Sequence, residues 1–244
     1  EVQKLCDVHS ALFHGTTDYS NKHEKSAALS QVKGHPLQTF TRENEALTKL
    51  IDRMKELLHD TDETTGSGSL PVDEKQADTG KFPVDEKQVD TGNLPQIAAQ
   101  LLKIREVAVH YAKKGDLLYP HLNARYGIAG PSAVMWTADD EIRDELGALC
   151  KALQKGREAA EQNATGSFQS SQWDVKWLER LQKVLMRAEE MIYKENHILF
   201  PNCAVNFTEE DWMGIYRDAK DYAGAYDAWN IYCLLYTSPS PRDA

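Results

Sequence analysis

The chain has 244 residues, enough to bury a core in one domain or in two small ones. Its formal net charge of −10 at pH 7 argues against sequence-independent nucleic-acid binding, because phosphates repel a surplus of carboxylates. No apolar run approaches the roughly 20 residues that span a bilayer. No charged-then-apolar leader opens the sequence, and its four cysteines lack metal-type spacing, so a cytoplasmic protein with reduced thiols is expected.

The first part of the chain predicts two helices joined by a polar connection. Residues 1–33 form a leading segment, in which 1–13 has apolar residues at helical spacing and 16–34 is expected to be a connection with at most a short turn. His35 and Pro36 open a long helix, since proline is tolerated in a first turn. Its apolar stripe continues to about residue 60.

A repeat interrupts the helical pattern. Residues 71–80 (PVDEKQADTG) and 83–92 (PVDEKQVDTG) are near-copies with a period of 12, and each contains Pro and Gly. Two such units cannot bury a core by stacking. We therefore expect residues 60–93 to be a disordered surface insertion, whose deletion changes stability by no more than about 1 kcal/mol.

Three further long helices follow, and then a short one. Apolar periodicity predicts helices over about 96–119, 131–162 and 172–197, separated by a Gly/Pro-rich turn at 126–131 and a linker at 163–171. Thr208 and the acids after it predict an N-capped helix that continues to about residue 222. The tail, 224–244, is excluded from the fold, because 233–243 resembles the translation of a sequencing adaptor.

One motif occurs twice, at the ends of two of these helices. Residues 110–120 (HYAKKGDLLYP) align without gaps to 191–201 (MIYKENHILFP), so that Pro120 meets Pro201. Each proline is expected to stop or kink its helix. Equivalent helices with polar residues before the same exit indicate a pseudo-symmetric helix bundle.

These motifs resemble the hemerythrin-like (HHE cation-binding) domain, whose helices carry His or Glu, then a carboxylate, then Leu-Phe-Pro. The nearer resemblance is to a bacterial subgroup in which DUF438 precedes this domain; it also shows motifs like those at 5–13, 34–44, 126–136 and 139–143. The resemblance implies an all-α fold, an antiparallel four-helix bundle over 34–223, with a leading helix and a short C-terminal helix. Members often continue into a PAS-type sensor domain, so such a domain is the expected partner.

The resemblance also implies a metal centre, because bundle helices that aim carboxylates and imidazoles inward commonly hold di-iron sites. The implied ligands are His35, Glu43, His110, Asp139 and Glu195. The expected cofactor is non-haem iron, mononuclear or dinuclear, and manganese or zinc would accept the same donors. We expect His35 and His110 to approach each other, with Glu195 beside them.

Several positions depart from the family pattern. Gly115 stands where the subgroup usually has Glu, Met191 replaces a histidine, Gln38 replaces a second histidine, and Asn196 replaces a Glu. A second metal should therefore bind weakly or not at all. A plainer interpretation also exists, because inward histidines are more often hydrogen-bonded core residues and charge-rich segments are often solvated helix faces.

The leading functional hypothesis is an iron-binding bundle that senses or handles oxygen, nitric oxide or redox state. The alternative is a metal-free helical interaction or signalling module. An iron-centre repair or redox enzyme is less supported, because it needs a fuller ligand set and a reactive cysteine region. No Ser-His-Asp, Cys-His or Gly-rich phosphate motif occurs in the sequence.

Overall fold

The computed structural model describes residues 19–63, 93–162 and 175–225, and all regular secondary structure in these ranges is helical. The helices are α1 Tyr19–Gln31, α2 Pro36–Glu63, α3 Leu94–Arg105, α4 Val107–Leu117, α5 Tyr119–Tyr126, α6 Gly130–Gln162, α7 Val175–Lys194, a π-helical segment Glu195–Leu199, α8 Phe200–Asn206, α9 Glu209–Asp218 and a 3₁₀ segment Ala219–Ala225. The predicted all-helical class is confirmed for this part of the chain. The predicted helix at 1–13, residues 64–92 of the insertion, the linker at 163–171 and the tail from 226 onwards lie outside the described residues.

The long helices form where apolar residues recur at helical spacing. In α2 these residues are fully or nearly buried, and they are Leu37, Phe40, Leu47, Ile51, Met54 and Leu57. Their spacing of three, four or seven residues places them on one side of the helix, which faces the core. α2 ends at Glu63, slightly inside the predicted insertion.

α1 was not expected from the sequence, which predicted a connection over 16–34. The structure instead has a helix over Tyr19–Gln31. Its sequence lacks an apolar stripe, and of its larger apolar residues Leu29 is only partly buried against the core. α1 packs against α8 and α2, so tertiary contact supports a helix that periodicity does not reveal.

Both copies of the repeated motif interrupt a helix, but in different ways. In the first copy α4 ends at Leu117, and α5 starts with Pro120 in its first turn. In the second copy the helix widens into the π-helical segment before α8 starts with Pro201 in its first turn. Proline lacks the N–H that would continue the ladder, so an interruption is expected at both places.

Contacts across α2 show that its neighbours run in the opposite direction. Gln100 of α3 donates a hydrogen bond to the backbone oxygen of Leu50 at 2.7 Å, and His110 of α4 lies against Glu43. On the other side, Lys55 pairs with Glu189, and Asn44 donates to Asn196 at 3.1 Å. On both sides, the residue number of the contacting partner falls as the residue number along α2 rises, so the two chains of contacts are antiparallel to α2.

α6 and α7 pack in the same opposed manner. Arg180 pairs with Glu145, and Arg187 pairs with Glu141, so the contacts again run in opposite directions. α6 also contacts α3 and α4. Four helical segments, α2, α4, α6 and the π-helical segment, therefore share one interior. Within the described ranges, no helix is both long and apolar enough to pass through a lipid bilayer.

Candidate functional site

Four of the five predicted metal ligands lie in this shared interior. Glu43, His110, Asp139 and Glu195 come from α2, α4, α6 and the π-helical segment, and none is more than 4% exposed. Each stands three or four residues from buried apolar residues on its own segment or, for Glu195, also at the end of α7. These residues are Phe40 and Leu47, Val107, Met135 and Ile142, and Met191 and Leu199. Helical spacing therefore places all four side chains inward.

His110 lies between two carboxylates. Its Nδ1 is 2.7 Å from Glu43 Oε2, and its Nε2 is 2.9 Å from Glu195 Oε2. Burial alone would lower the pKa of His110, but the two carboxylates outweigh burial and raise this pKa above the ordinary value. Each ring nitrogen faces an oxygen of an ionised carboxylate, which can only accept, so both nitrogens donate hydrogen bonds and neither has a lone pair free for a metal.

Two adjacent lysines complete the cluster. Lys113 Nζ donates to Glu43 Oε1 and lies 4.4 Å from the centre of the Phe40 ring. Lys114 Nζ donates to Asp139 Oδ1 at 2.8 Å and also to Glu195 Oε1. The side chains of both lysines are at most 2% exposed, so each ammonium lies among carboxylates and aromatic rings away from water.

Asp139 is the carboxyl of the cluster whose pKa is raised rather than lowered. Burial raises the pKa of Asp139 to about 6; the ammonium of Lys114 opposes this increase, and the charge of Glu195 adds to it. Tyr119 donates its hydroxyl to Asp139 Oδ2 at 3.0 Å. Burial and the nearby carboxylates also raise the pKa of Tyr119, so its hydroxyl keeps the proton that it donates.

The other two carboxyls of the cluster are ionised at neutral pH. Burial alone would raise the pKa of Glu195, but Lys114 and His110 lower this pKa to about 2. Burial also opposes ionisation of Glu43, and Lys113 and His110 again outweigh it. Three carboxylates therefore face three cations, which balances the formal charge of the cluster without any further ion.

The fit to a metal ion can be tested atom by atom. All six carboxylate oxygens and both imidazole nitrogens already have hydrogen-bond or ion-pair partners within the cluster. The buried side-chain atoms that lack a partner in the described part of the chain are Asn44 Oδ1 and the Tyr111 hydroxyl, neither of which is a carboxylate. In the same residues, no three His, Cys, Asp or Glu side chains are grouped so that they could hold a metal. The cluster as arranged does not fit a metal ion.

His35 does not join the cluster, which corrects the expectation that it approaches His110. Its ring packs on Trp212, with 4.6 Å between ring centres, and its Nδ1 accepts a hydrogen bond from the backbone N–H of Leu37 at 3.1 Å. The residue before a proline is held at the helix start, where this bond satisfies one of the free N–H groups of α2. Burial lowers the pKa of His35 to about 4, so this ring is neutral at pH 7.

The lysines are the site residues that the sequence did not predict. A signal was present, because the ungapped alignment of the two motif copies places Lys114 opposite Glu195, and these two side chains pair in the structure. Gly115 also differs from expectation. A Cβ at Gly115 would meet the Trp136 ring at 3.9 Å rather than an atom of the cluster.

Comparison with protein families gives one match. The family model described as "Hemerythrin HHE cation binding domain" matches residues 35–203, more than two thirds of the 244 residues. The chain belongs to the hemerythrin HHE family. The matched region begins at His35, ends in α8 and includes all members of the buried cluster. A search of curated proteins finds no match.

The hemerythrin HHE family is a family of cation-binding helical domains. In this member, the bundle interior that contains the inward carboxylates and His110 also contains the ammonium groups of two lysines. The helical fold and the inward carboxylates and histidine therefore agree with the family, whereas the cations that neutralise these carboxylates come from the chain itself.

Proposed function

We propose that this hemerythrin HHE domain works without a bound metal, as a helical interaction or signalling module whose interior is held by ion pairs. The observation that carries the proposal is the balance of charge inside the bundle. The ammonium groups of Lys113 and Lys114 and the imidazolium of His110 neutralise Glu43, Asp139 and Glu195. An added divalent cation would leave this desolvated region with unbalanced charge.

The cluster can do the structural work expected of a metal centre. It connects α2, α4, α6 and the π-helical segment through charged hydrogen bonds, as a metal does through its ligands. Buried ion pairs of this kind add little net stability, but they can fix which helices meet and in which register. Opposed contact directions along α2 and along α6 and α7 support an antiparallel four-helix bundle as the module's architecture.

Metal analysis tests this proposal. The protein is purified without oxygen and incubated with Fe²⁺, and then in separate samples with Mn²⁺ or Zn²⁺, before removal of unbound metal. We expect far less than one metal per chain and no shift in the thermal unfolding midpoint. A ligand at 100 times its Kd stabilises a protein by about 2.7 kcal/mol, so real binding would be visible. One retained metal per chain, with a matching thermal shift, would overturn the proposal.

A second candidate function is an iron-binding domain that senses oxygen, nitric oxide or redox state. The observation in its favour is that Glu43, His110, Asp139 and Glu195 converge from four helical segments. Iron binding at this place requires that Lys114 withdraws from Asp139 and that His110 loses a proton. If iron is retained, it should disappear in a His110→Ala variant that remains helical by circular dichroism, and should persist in a His35→Ala variant.

A further inference from the structure

The side chain of Lys114 occupies a position at which oxygens from two other segments converge. Asp139 Oδ1 of α6 lies 2.8 Å from Lys114 Nζ, and Glu195 Oε1 of the π-helical segment is also bonded to it. Glu195 further contacts His110 Nε2 through its second oxygen. Imidazole and two carboxylates from separate helices are a donor set that suits iron, manganese or cobalt.

We infer that Lys114 is the residue that closes this bundle to metal ions, by holding its ammonium between Asp139 and Glu195. This inference rests on the proposed metal-independent function. The ammonium takes up the anionic oxygens that a cation would need, and its side chain is fully buried, so it has no direct route into solvent. Its charge also completes the balance of the cluster.

Lys113 does not stand in the same place. Lys113 forms an ion pair with Glu43, and its ammonium lies over the Phe40 ring. Glu43 reaches His110 through Nδ1, on the other side of the ring from Glu195. A carboxylate on the far ring nitrogen is the usual partner that orients a metal-bound histidine. Loss of Lys113 therefore should not expose the group of oxygens that surrounds Lys114.

The position of Lys114 in the repeat gives independent support. The ungapped alignment of 110–120 with 191–201 pairs Lys114 with Glu195. A carboxylate at position 114 would thus give both copies of the motif a carboxylate at the same aligned position. Gly115, the neighbouring departure from the subgroup, points its missing Cβ toward Trp136 and has no cluster atom among its three nearest neighbours within 4 Å.

The test compares Lys114→Gln with the matched variant Lys113→Gln. Each removes one positive charge from the same cluster and keeps a long polar side chain. The probe is Co²⁺, because its visible d–d absorption reports coordination by the protein. We expect one Co²⁺ per chain in Lys114→Gln, and tighter binding in Lys114→Glu, with no cobalt absorption in Lys113→Gln or in the wild-type chain.

The outcomes separate this inference from the proposed function. Binding of one cobalt by the wild-type chain would overturn the metal-independent function. If the wild-type chain binds none, but folded Lys114→Gln also shows no cobalt absorption, the inference alone is overturned; equal binding by Lys113→Gln overturns it too. If Lys114→Gln is unfolded without metal, cobalt should restore its helical circular dichroism at one equivalent, since metal binding then drives folding. Failure to restore it counts against the inference.

Discussion

Replacement of Lys114 by methionine should destabilise the fold severely while leaving its volume nearly unchanged. The ammonium bonds to Asp139 and Glu195, whose side chains are 5% and 1% exposed. Removal of one partner from a buried ion pair costs about 3–5 kcal/mol, because the remaining charge is left without compensation. For a domain of 150–250 residues this loss corresponds to a fall in Tm of roughly 6–20 °C.

The loss should also depend on pH, through Asp139. In the wild-type protein burial raises the pKa of Asp139 to about 6, and Lys114 opposes that increase. Without the ammonium the pKa of Asp139 rises further, so the carboxyl takes up a proton at a higher pH. Protonation of Asp139 removes the one carboxylate charge that the two remaining cations do not balance. The destabilisation of Lys114→Met should therefore be greatest above pH 7 and become smaller as the pH falls toward 5.

Urea unfolding followed by circular dichroism at several pH values measures both effects. The matched control is Lys55→Met, which removes a lysine from a pair whose side chains are 43% and 33% exposed. Exposed pairs contribute about 0–1 kcal/mol, so this control should remain close to the wild-type protein. A Lys114→Met protein as stable as the control at pH 8 would refute the buried-cluster interpretation.

Three further predictions concern other parts of the domain. The pKa of Glu195 is lowered from 4.5 to about 2, so this carboxylate contributes stability that is present above pH 4.5 and lost as the pH falls through 2. Glu195→Gln should remove roughly 3 kcal/mol of the change in unfolding free energy between those pH values, measured by urea unfolding. An unchanged dependence of the unfolding free energy on pH would contradict this prediction. Thr208→Ala should cost about 0.5–2 kcal/mol, because Thr208 forms a capping box at the start of α9, whereas Thr208→Ser should retain most of that stability in the same assay. His35→Ala should lower the unfolding midpoint through lost packing on Trp212 without changing the metal content. His35→Phe should recover much of the packing. A change in metal content in His35→Ala would place His35 back among the ligands.

Periodicity in the sequence was sufficient to predict helical structure over α2, α3, α4, α6 and α7 and the inward side of these helices, but it did not reveal α1. The resemblance to the hemerythrin-like domain indicated Glu43, His110, Asp139 and Glu195, and helical spacing agrees with that choice, since each lies three or four residues from apolar residues that the structure buries. The two motif prolines likewise predicted interruptions, since proline cannot donate the next hydrogen bond of a helix. These features depend on neighbouring residues along the chain, and so the sequence contains them directly.

Only the tertiary structure decided how the inward charges are neutralised. A lysine side chain can extend to water or stay inside with a carboxylate, and the choice depends on the distance between helices rather than on its own neighbours. For Lys114 that distance brings Asp139 and Glu195 within bonding range, and the ammonium stays inside. His35 shows the reverse case. Its imidazole could bind a metal, but packing on Trp212 and a hydrogen bond to the start of α2 keep it out of the cluster. Trp212 lies on α9, and no local pattern around His35 reveals that contact.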